Sequence, residues 1–482
     1  MLVWQGRGPH KHSMHSASYH PDPVYLTLGE GFADPVRAAI FPQTKLRWRN
    51  DKAASEVGLA DLSDAQWIAH FGRFESLPDN LPEPLALRYH GHQFRVYNPD
   101  LGDGRGFLFA QMRDNHGRLI DLGTKGSGQT PWSRQGDGRL TLKGAVRELL
   151  ATEMLEALGV PTSRTFSIVE TGEALWRGDE PSPTRSAVLV RMSHGHIRIG
   201  SFQRLAALGD HTRLAQLARY ALRYYYDYDA SRLAGEDDAS IAALLVGHVV
   251  ERTADLAASY MIAGFVHGVL NSDNINISGE SFDYGPWRFT PYWEPGFTAA
   301  YFDHAGLYAF GRQPEAIHWN VAQLAIALRP LSPAPPLIAQ LERFAPLYQA
   351  AIARRFLWRL GVTSVADETD RALVAAAEQL MMQDHIAIDR FFFDWRGGKD
   401  RTPGANAGEK NAAYEAFTER LAVYSALPSD HPYWAEPNPQ SLHIDEVESL
   451  WTAIADKDDW QPLYDKIAAI RRMGAALIPN RG

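Results

Sequence analysis

Near residue 200 the chain changes its hydrophobic pattern, and that change limits the fold more than any other feature. Before it, short apolar runs alternate with turns. Residues 107–112 are apolar, Asn115-His116-Gly117 signals a turn, and residues 119–124 resume a strand that delivers Lys125. Residues 141–158 then carry Leu142, Ala145, Val146, Leu149 and Leu150 at helical spacing, and Gly159-Val160-Pro161 stops that helix. Residues 165–169 and 187–192 are strand-like again. The order from residue 105 is strand, strand, helix, strand, strand.

Beyond residue 200 the periodic segments are helical. They cover residues 239–265, 319–328, 337–360, 370–385, 409–422 and 444–470, with loops expected at 403–408 and 428–438. A small mixed lobe followed by a larger helical lobe is the kinase-like arrangement. The expectation is an α+β, protein-kinase-like two-lobed fold. Residues 1–84 would form an N-terminal arm and extension, 85–200 the small lobe, 201–400 the large helical lobe and 401–482 extra C-terminal helices.

A chain of 482 residues is too long for one simple core. Its net charge of −9 speaks against a general nucleic-acid binder. It has no cysteine, which excludes disulfides, a thiolate zinc site and a cysteine nucleophile. No run approaches the roughly 18 apolar residues of a membrane span, and the first residues lack the apolar core of a signal peptide. A cytoplasmic protein with no membrane or nucleic-acid partner is expected. His10, His12, His15 and His20 cluster in the arm, which reads as a polar tail rather than a metal site.

Phosphoryl-transfer sites need few parts, and each has a candidate. Lys125 ends a strand, and Glu148 lies mid-helix 23 residues later, a spacing that lets the two meet. After the long helix comes His267-Gly268-Val269-Leu270-Asn271-Ser272-Asp273-Asn274. His267 and Asn274 fit a kinase catalytic loop, but its aspartate position, 269, is valine. Nine residues on, Asp283-Tyr284-Gly285 matches the magnesium-binding Asp-Phe-Gly motif, so Asn274 and Asp283 are candidate ligands of Mg²⁺ or Mn²⁺. Valine accepts no proton. Either the chain only binds nucleotide, or another group serves as base, and Asp273 is the nearest ionisable candidate. Gly102, Gly104 and Arg105 form a glycine-rich turn that either approaches a phosphate or is a simple tight turn. Asp137 and Gly138 lie in a second such loop. Arg191 and Arg198 either grip a triphosphate or form surface salt bridges.

Together these stretches resemble the selenoprotein O family, the YdiU-type proteins. The resemblance rests on Gly91-His92-Gln93-Phe94, Leu101-Gly102-Asp103-Gly104-Arg105, the 121–128 segment around Lys125, Ser133-Arg134, Asp137-Gly138-Arg139 and Arg147-Glu148. It continues through the 264–274 segment, Asp283-Tyr284-Gly285-Pro286, Gln313-Pro314 and Trp319-Asn320, spanning about residues 85 to 330. It implies a pseudokinase that binds ATP in a flipped pose and moves AMP onto Ser, Thr or Tyr hydroxyls of proteins, releasing pyrophosphate. Carried over by position, Lys125 and Glu148 form the ion pair. Gly102, Gly104, Arg105, Asp137, Gly138, Arg191 and Arg198 surround ATP, Asn274 and Asp283 hold the metal, and Asp273 is the base. The alternatives are a non-catalytic ATP-binding pseudokinase and a conventional phosphotransferase.

The chain departs from the family pattern in three places. Arg95 stands where a glycine is usual. The redox cysteines or selenocysteine are absent, which excludes disulfide control. Residues 473–482 lack the usual ending.

Overall fold

The computed structural model describes residues 18–178, 180–401, 411–428 and 430–478. Its strands begin with β1 (Ala33–Pro35), β2 (Lys45–Arg49), β3 (Leu85–Leu87), β4 (Gly91–Gln93) and β5 (Val96–Asn98). They continue with β6 (Leu108–Arg113), β7 (Leu119–Lys125), β8 (Leu140–Thr141), β9 (Arg164–Leu175) and β10 (Thr184–Ser193). Eight of these make one antiparallel sheet in the order β1-β3-β6-β7-β10-β9-β2, with β8 pairing with β10. β4 and β5 pair only with each other.

The turn expected after residue 112 closes the β6–β7 hairpin. Asp114 Oδ1 accepts from the amides of His116 and Arg118 at 2.9 Å each, and Gly117 takes φ 78. An aspartate can satisfy a turn this way while glycine supplies the left-handed step.

Both faces of the sheet are covered, so β7 is buried along its whole length. Successive residues point to opposite faces. Ile120, Leu122, Val188 and Val190 pack with Trp67 and Phe71 of α2 (Asp64–Phe71), which follows α1 (Asp51–Glu56). Leu119 and Leu189 face the other way and pack with Leu142, Ala145 and Leu149 of α3 (Leu142–Ala157). Each such large side chain contributes about 1.5–3 kcal/mol on burial. Thr141 caps α3 by accepting from the Gly144 amide. This packing fixes the helix that carries Glu148 against the strand that ends in Lys125.

The rest of the molecule is helical. α4 (Ile199–Ala207), α5 (His211–Tyr225) and α6 (Ala230–Gly235) lead into α7 (Asp238–Ala263). Asp237 caps α7 at its start, and Gly264 ends it with φ 68. Most of its residues are buried, as befits a helix packed on several sides by other helices. β11 (Phe265–Val266) and β12 (Arg288–Phe289) then form a small antiparallel pair that brackets the 267–287 loop. Beyond it come α8 (Gln313–Ala327), α9 (Ala334–Leu341), α10 (Phe344–Leu360), α11 (Asp367–Gln383), α12 (Ile388–Asp394), α13 (Ala412–Leu421), α14 (Ile444–Lys457) and α15 (Gln461–Leu477).

Two expected helices are each two. The run 337–360 is broken between α9 and α10 because Pro346, near the start of α10, has no amide to bond the carbonyl of Glu342. The run 444–470 is broken at Asp458, which takes φ 49. Its carboxylate is held by Lys45, Arg47 and Arg185 at 2.8–3.2 Å. The expected arm and extension also contributes β1 and β2 to the sheet, β2 pairing with β9. The loop expected at 403–408 lies outside the described residues, as do His10, His12 and His15. Among the described residues no helix is long and apolar enough to cross a membrane.

Candidate active site

A cavity of about 780 Å³ is lined by the end of β7, the two glycine-rich loops, β10 and the 267–287 loop. Gly102, Gly104, Arg105, Lys125, Asp137, Gly138, Arg191, Arg198, Val269, Asp273, Asn274 and Asp283 all line it. Eleven of these are the nucleotide, metal and base candidates of the sequence, and the twelfth is the valine in place of the kinase aspartate. Glu148 lies behind Lys125.

Lys125 is nearly buried, and its Nζ donates to Glu148 Oε2 at 2.7 Å. The same ammonium lies 2.7 Å from Asp283 Oδ1. Arg191 Nη1 is 3.5 Å from that oxygen and 3.8 Å from Glu148 Oε1. Burial pushes the Asp283 carboxyl up, but Lys125, Arg191 and Arg105 overcome it and hold the group well below the usual carboxylate range. Asp283 takes φ 65, a left-handed conformation that aims its side chain into this cluster.

Arg198 is 2% exposed. Its guanidinium lies 4.0 Å from the centre of the Tyr89 ring and donates to Asp103 Oδ1 at 3.2 Å and to the Asp273 carbonyl at 3.4 Å. Arg191 and Arg198 both sit 5.1 Å from the centre of the Phe282 ring. Neither arginine is on the surface. Arg191 Nε and Nη1 and Arg198 Nε are buried without a hydrogen-bond partner among the described residues. Both arginines line the cavity, and two guanidinium groups there suit an anion with several oxygens.

The 267–274 loop is held from all sides. His267 is fully buried, its Nε2 3.0 Å from the Phe282 carbonyl oxygen. Its amide donates to Gln313 Oε1 at 3.0 Å, and Asn320 Nδ2 donates to the Leu270 carbonyl at 2.6 Å. The β4–β5 hairpin clasps the other side: the His92 amide donates to Ser272 Oγ at 2.7 Å and the Phe94 amide to Asn271 Oδ1 at 3.0 Å. Gln93 Nε2 reaches Asp273 Oδ2 at 3.5 Å, while Asp273 Oδ1 is buried without a partner. Burial raises the Asp273 carboxyl to about 6, opposed by Arg198. Arg95, the residue in place of a glycine, takes φ 65 and pairs with Glu315 at 2.9 Å over the Trp319 ring.

Asn274 donates its amide nitrogen to the Val269 carbonyl at 2.9 Å, which leaves its side-chain oxygen for a ligand. That oxygen and the Asp283 carboxylate are hard donors that fit Mg²⁺ or Mn²⁺, ions held by one or two protein groups with phosphate oxygens completing the shell. Among the described residues no group of three or more His, Asp or Glu is placed to hold a metal.

Both glycine-rich loops pack on the segment 128–133 that lies between them in the chain. A Cβ on Gly102 would meet the Trp132 ring at 2.3 Å, and one on Gly138 (φ 70) would meet the Gly128 carbonyl at 2.3 Å. Asp137 is held by Arg177 at 2.8 and 3.1 Å. Trp132, Arg177, Tyr89 and Phe282 went unnoticed in the sequence. Nothing in their spacing marks them: Trp132, Arg177 and Tyr89 line the cavity beside residues distant in the chain, and Phe282 packs against Arg191 and Arg198. Gln93 lies in a quoted motif, but its neighbour Asp273 is 180 residues away.

The family model described as "Protein adenylyltransferase SelO" matches residues 14–471. The chain is 43% identical to "Protein nucleotidyltransferase YdiU" of Synechococcus elongatus, covering 95% of this chain and 97% of that protein. It is 42% identical to the protein of the same name from Synechocystis sp., covering 93% and 97%. The Gloeobacter violaceus protein of that name is also 42% identical, covering 94% and 95%. With the family matched over almost its whole length, the chain is an enzyme, a nucleotidyltransferase, and belongs to the SelO family of protein adenylyltransferases.

Proposed function

We propose that this enzyme moves AMP from ATP to Ser, Thr or Tyr hydroxyls of protein substrates, within a kinase-like two-lobed arrangement that holds ATP in a flipped pose. The observation that carries the reading is the pair of buried arginines, Arg191 and Arg198, lining a cavity whose kinase aspartate position is Val269. Cations set deep in the cavity favour the distal phosphates there, which turns the α-phosphate toward the acceptor.

In this reading Lys125, Arg191 and Arg198 bind and orient the triphosphate, and Glu148 keeps Lys125 in place. Asn274 and Asp283 would hold Mg²⁺ or Mn²⁺, which supplies charge neutralisation at the phosphates when bound. The acceptor hydroxyl oxygen forms a bond to the α-phosphorus, the α–β bridging bond breaks, and pyrophosphate leaves with that electron pair. The hydroxyl proton goes to the Asp273 carboxylate, whose Oδ1 has no competing partner among the described residues.

The test uses Mg²⁺ and ATP labelled separately at the α and γ phosphates. Label from the α position on protein is expected. Label from the γ position alone would make the enzyme a phosphotransferase, and neither label on protein would make it a binding module.

A further inference from the structure

Helix α3 carries more than Glu148, and its outward residues are gripped by the C-terminal hairpin α14–α15. Glu448 on α14 takes the Lys143 ammonium at 2.7 Å and lies 3.9 Å from Arg147 Nη1. Arg147 stacks 4.9 Å from the Trp287 ring centre and donates to the Trp287 carbonyl at 3.1 Å. It thereby joins α3 to the segment that begins at Asp283. Arg471 on α15 holds the buried Glu153 through two hydrogen bonds of 2.6 and 2.7 Å. Where α15 crosses α3 it presents Gly474, and a Cβ there would lie 3.0 Å from the Ala157 Cα. Asp458, at the turn of the hairpin, pairs with Lys45 and Arg47 of β2 and with Arg185 of β10, the strand that also carries Arg191.

We propose that the α14–α15 hairpin is a brace for the nucleotide site, with Glu448 and Arg471 as positioning residues. They set where α3 lies, so that Glu148, Lys125 and Asp283 converge. This rests on the nucleotide-binding reading of the cavity. The physical argument is one of placement. Glu148 reaches Lys125 only if α3 holds its position along the sheet, and the contacts at 143, 147 and 153 fix that position from the side facing away from the cavity. The Glu448 side chain is 43% exposed, so its ion pair adds little to global stability. A structural role and a positioning role are therefore separable at this residue.

The test measures the ATP dissociation constant of the full chain by calorimetry, with Mg²⁺ and no protein substrate, beside the melting temperature. Glu448→Gln should weaken ATP about two- to threefold, within what an ion pair of this exposure can contribute, with little change in melting temperature. Glu448→Asp should recover part of the loss. Arg471→Gln should weaken ATP further and also lower the melting temperature, because it strands a buried carboxylate. Arg472→Ala, on the same helix but paired with Glu436, should leave ATP affinity unchanged. ATP affinity unaltered in Glu448→Gln, or lowered equally in Arg472→Ala, would overturn the proposal. Because binding alone is read, these outcomes stand whether or not AMP is the group transferred.

Discussion

The Lys125 ammonium sits between two carboxylates, 2.7 Å from Glu148 on α3 and 2.7 Å from Asp283 in the loop after β11. One cation thus ties the sheet, the helix and the segment that begins at Asp283 into a single cluster. Lys125→Met would leave the buried Glu148 without its 2.7 Å partner and with only Arg191, 3.8 Å away, as counter-charge, a destabilising change of about 3 kcal/mol. The melting temperature should fall, and AMP transfer should drop by at least about a hundredfold. Lys125→Met with Glu148→Leu should recover stability but not transfer. Transfer restored in that double variant would remove Lys125 from the chemistry.

Arg191 and Arg198 should discriminate between nucleotides. Replacing either with Ala should weaken ATP by roughly 10- to 100-fold and AMP by far less, since a charge-assisted hydrogen bond contributes about 1.5–3 kcal/mol only when its phosphate is present. Equal loss for ATP and AMP, measured by calorimetry, would assign both arginines to holding Asp103 and Phe282 instead.

Asp273→Asn keeps the shape of the side chain and removes its capacity to take a proton. Turnover should fall about 100- to 10,000-fold, while ATP affinity stays within about threefold. Single-turnover rates and binding measured on the same preparation separate the two. A fully active Asp273→Asn variant would leave the proton without this acceptor.

How much of this was readable in advance differs by region. Lys125 and Glu148 stood out because a strand-ending lysine and a stopped helix are local signals, and a short connection forces them together. Asn274 and Asp283 were picked out by two short motifs in order, and both line the cavity. The break at Asp458 had a local signal in Pro462, which has no amide to bond the Asp458 carbonyl, but the basic side chains that hold Asp458 lie far away, two of them more than 400 residues off in the chain. Pro346 was legible as a breaker, yet the strong apolar periodicity on both sides of it masked the gap. β2 finds its partner, β9, only when the sheet assembles. The Gln93 clasp on Asp273 depends likewise on a hairpin meeting a loop 180 residues on.

Away from the site, Glu378 on α11 gives a pH signature. Burial raises its carboxyl from 4.5 to about 7. Between those values the folded chain binds more protons than the unfolded one, so stability falls as pH rises through the window. Glu378→Gln should therefore be near neutral at pH 5 and stabilising at pH 8, by about 1–2 kcal/mol after allowing for the part of the side chain that meets water. Urea unfolding at the two pH values reads this directly, and equal effects at both would contradict it.

The central claim is the identity of the transferred group. Mass spectrometry of modified peptides, after incubating the enzyme and a polypeptide substrate with Mg²⁺ and ATP, reads it directly. The account predicts an adenosine monophosphate adduct on a Ser, Thr or Tyr hydroxyl, absent in Asp283→Ala. A bare phosphoryl group on those side chains would contradict it.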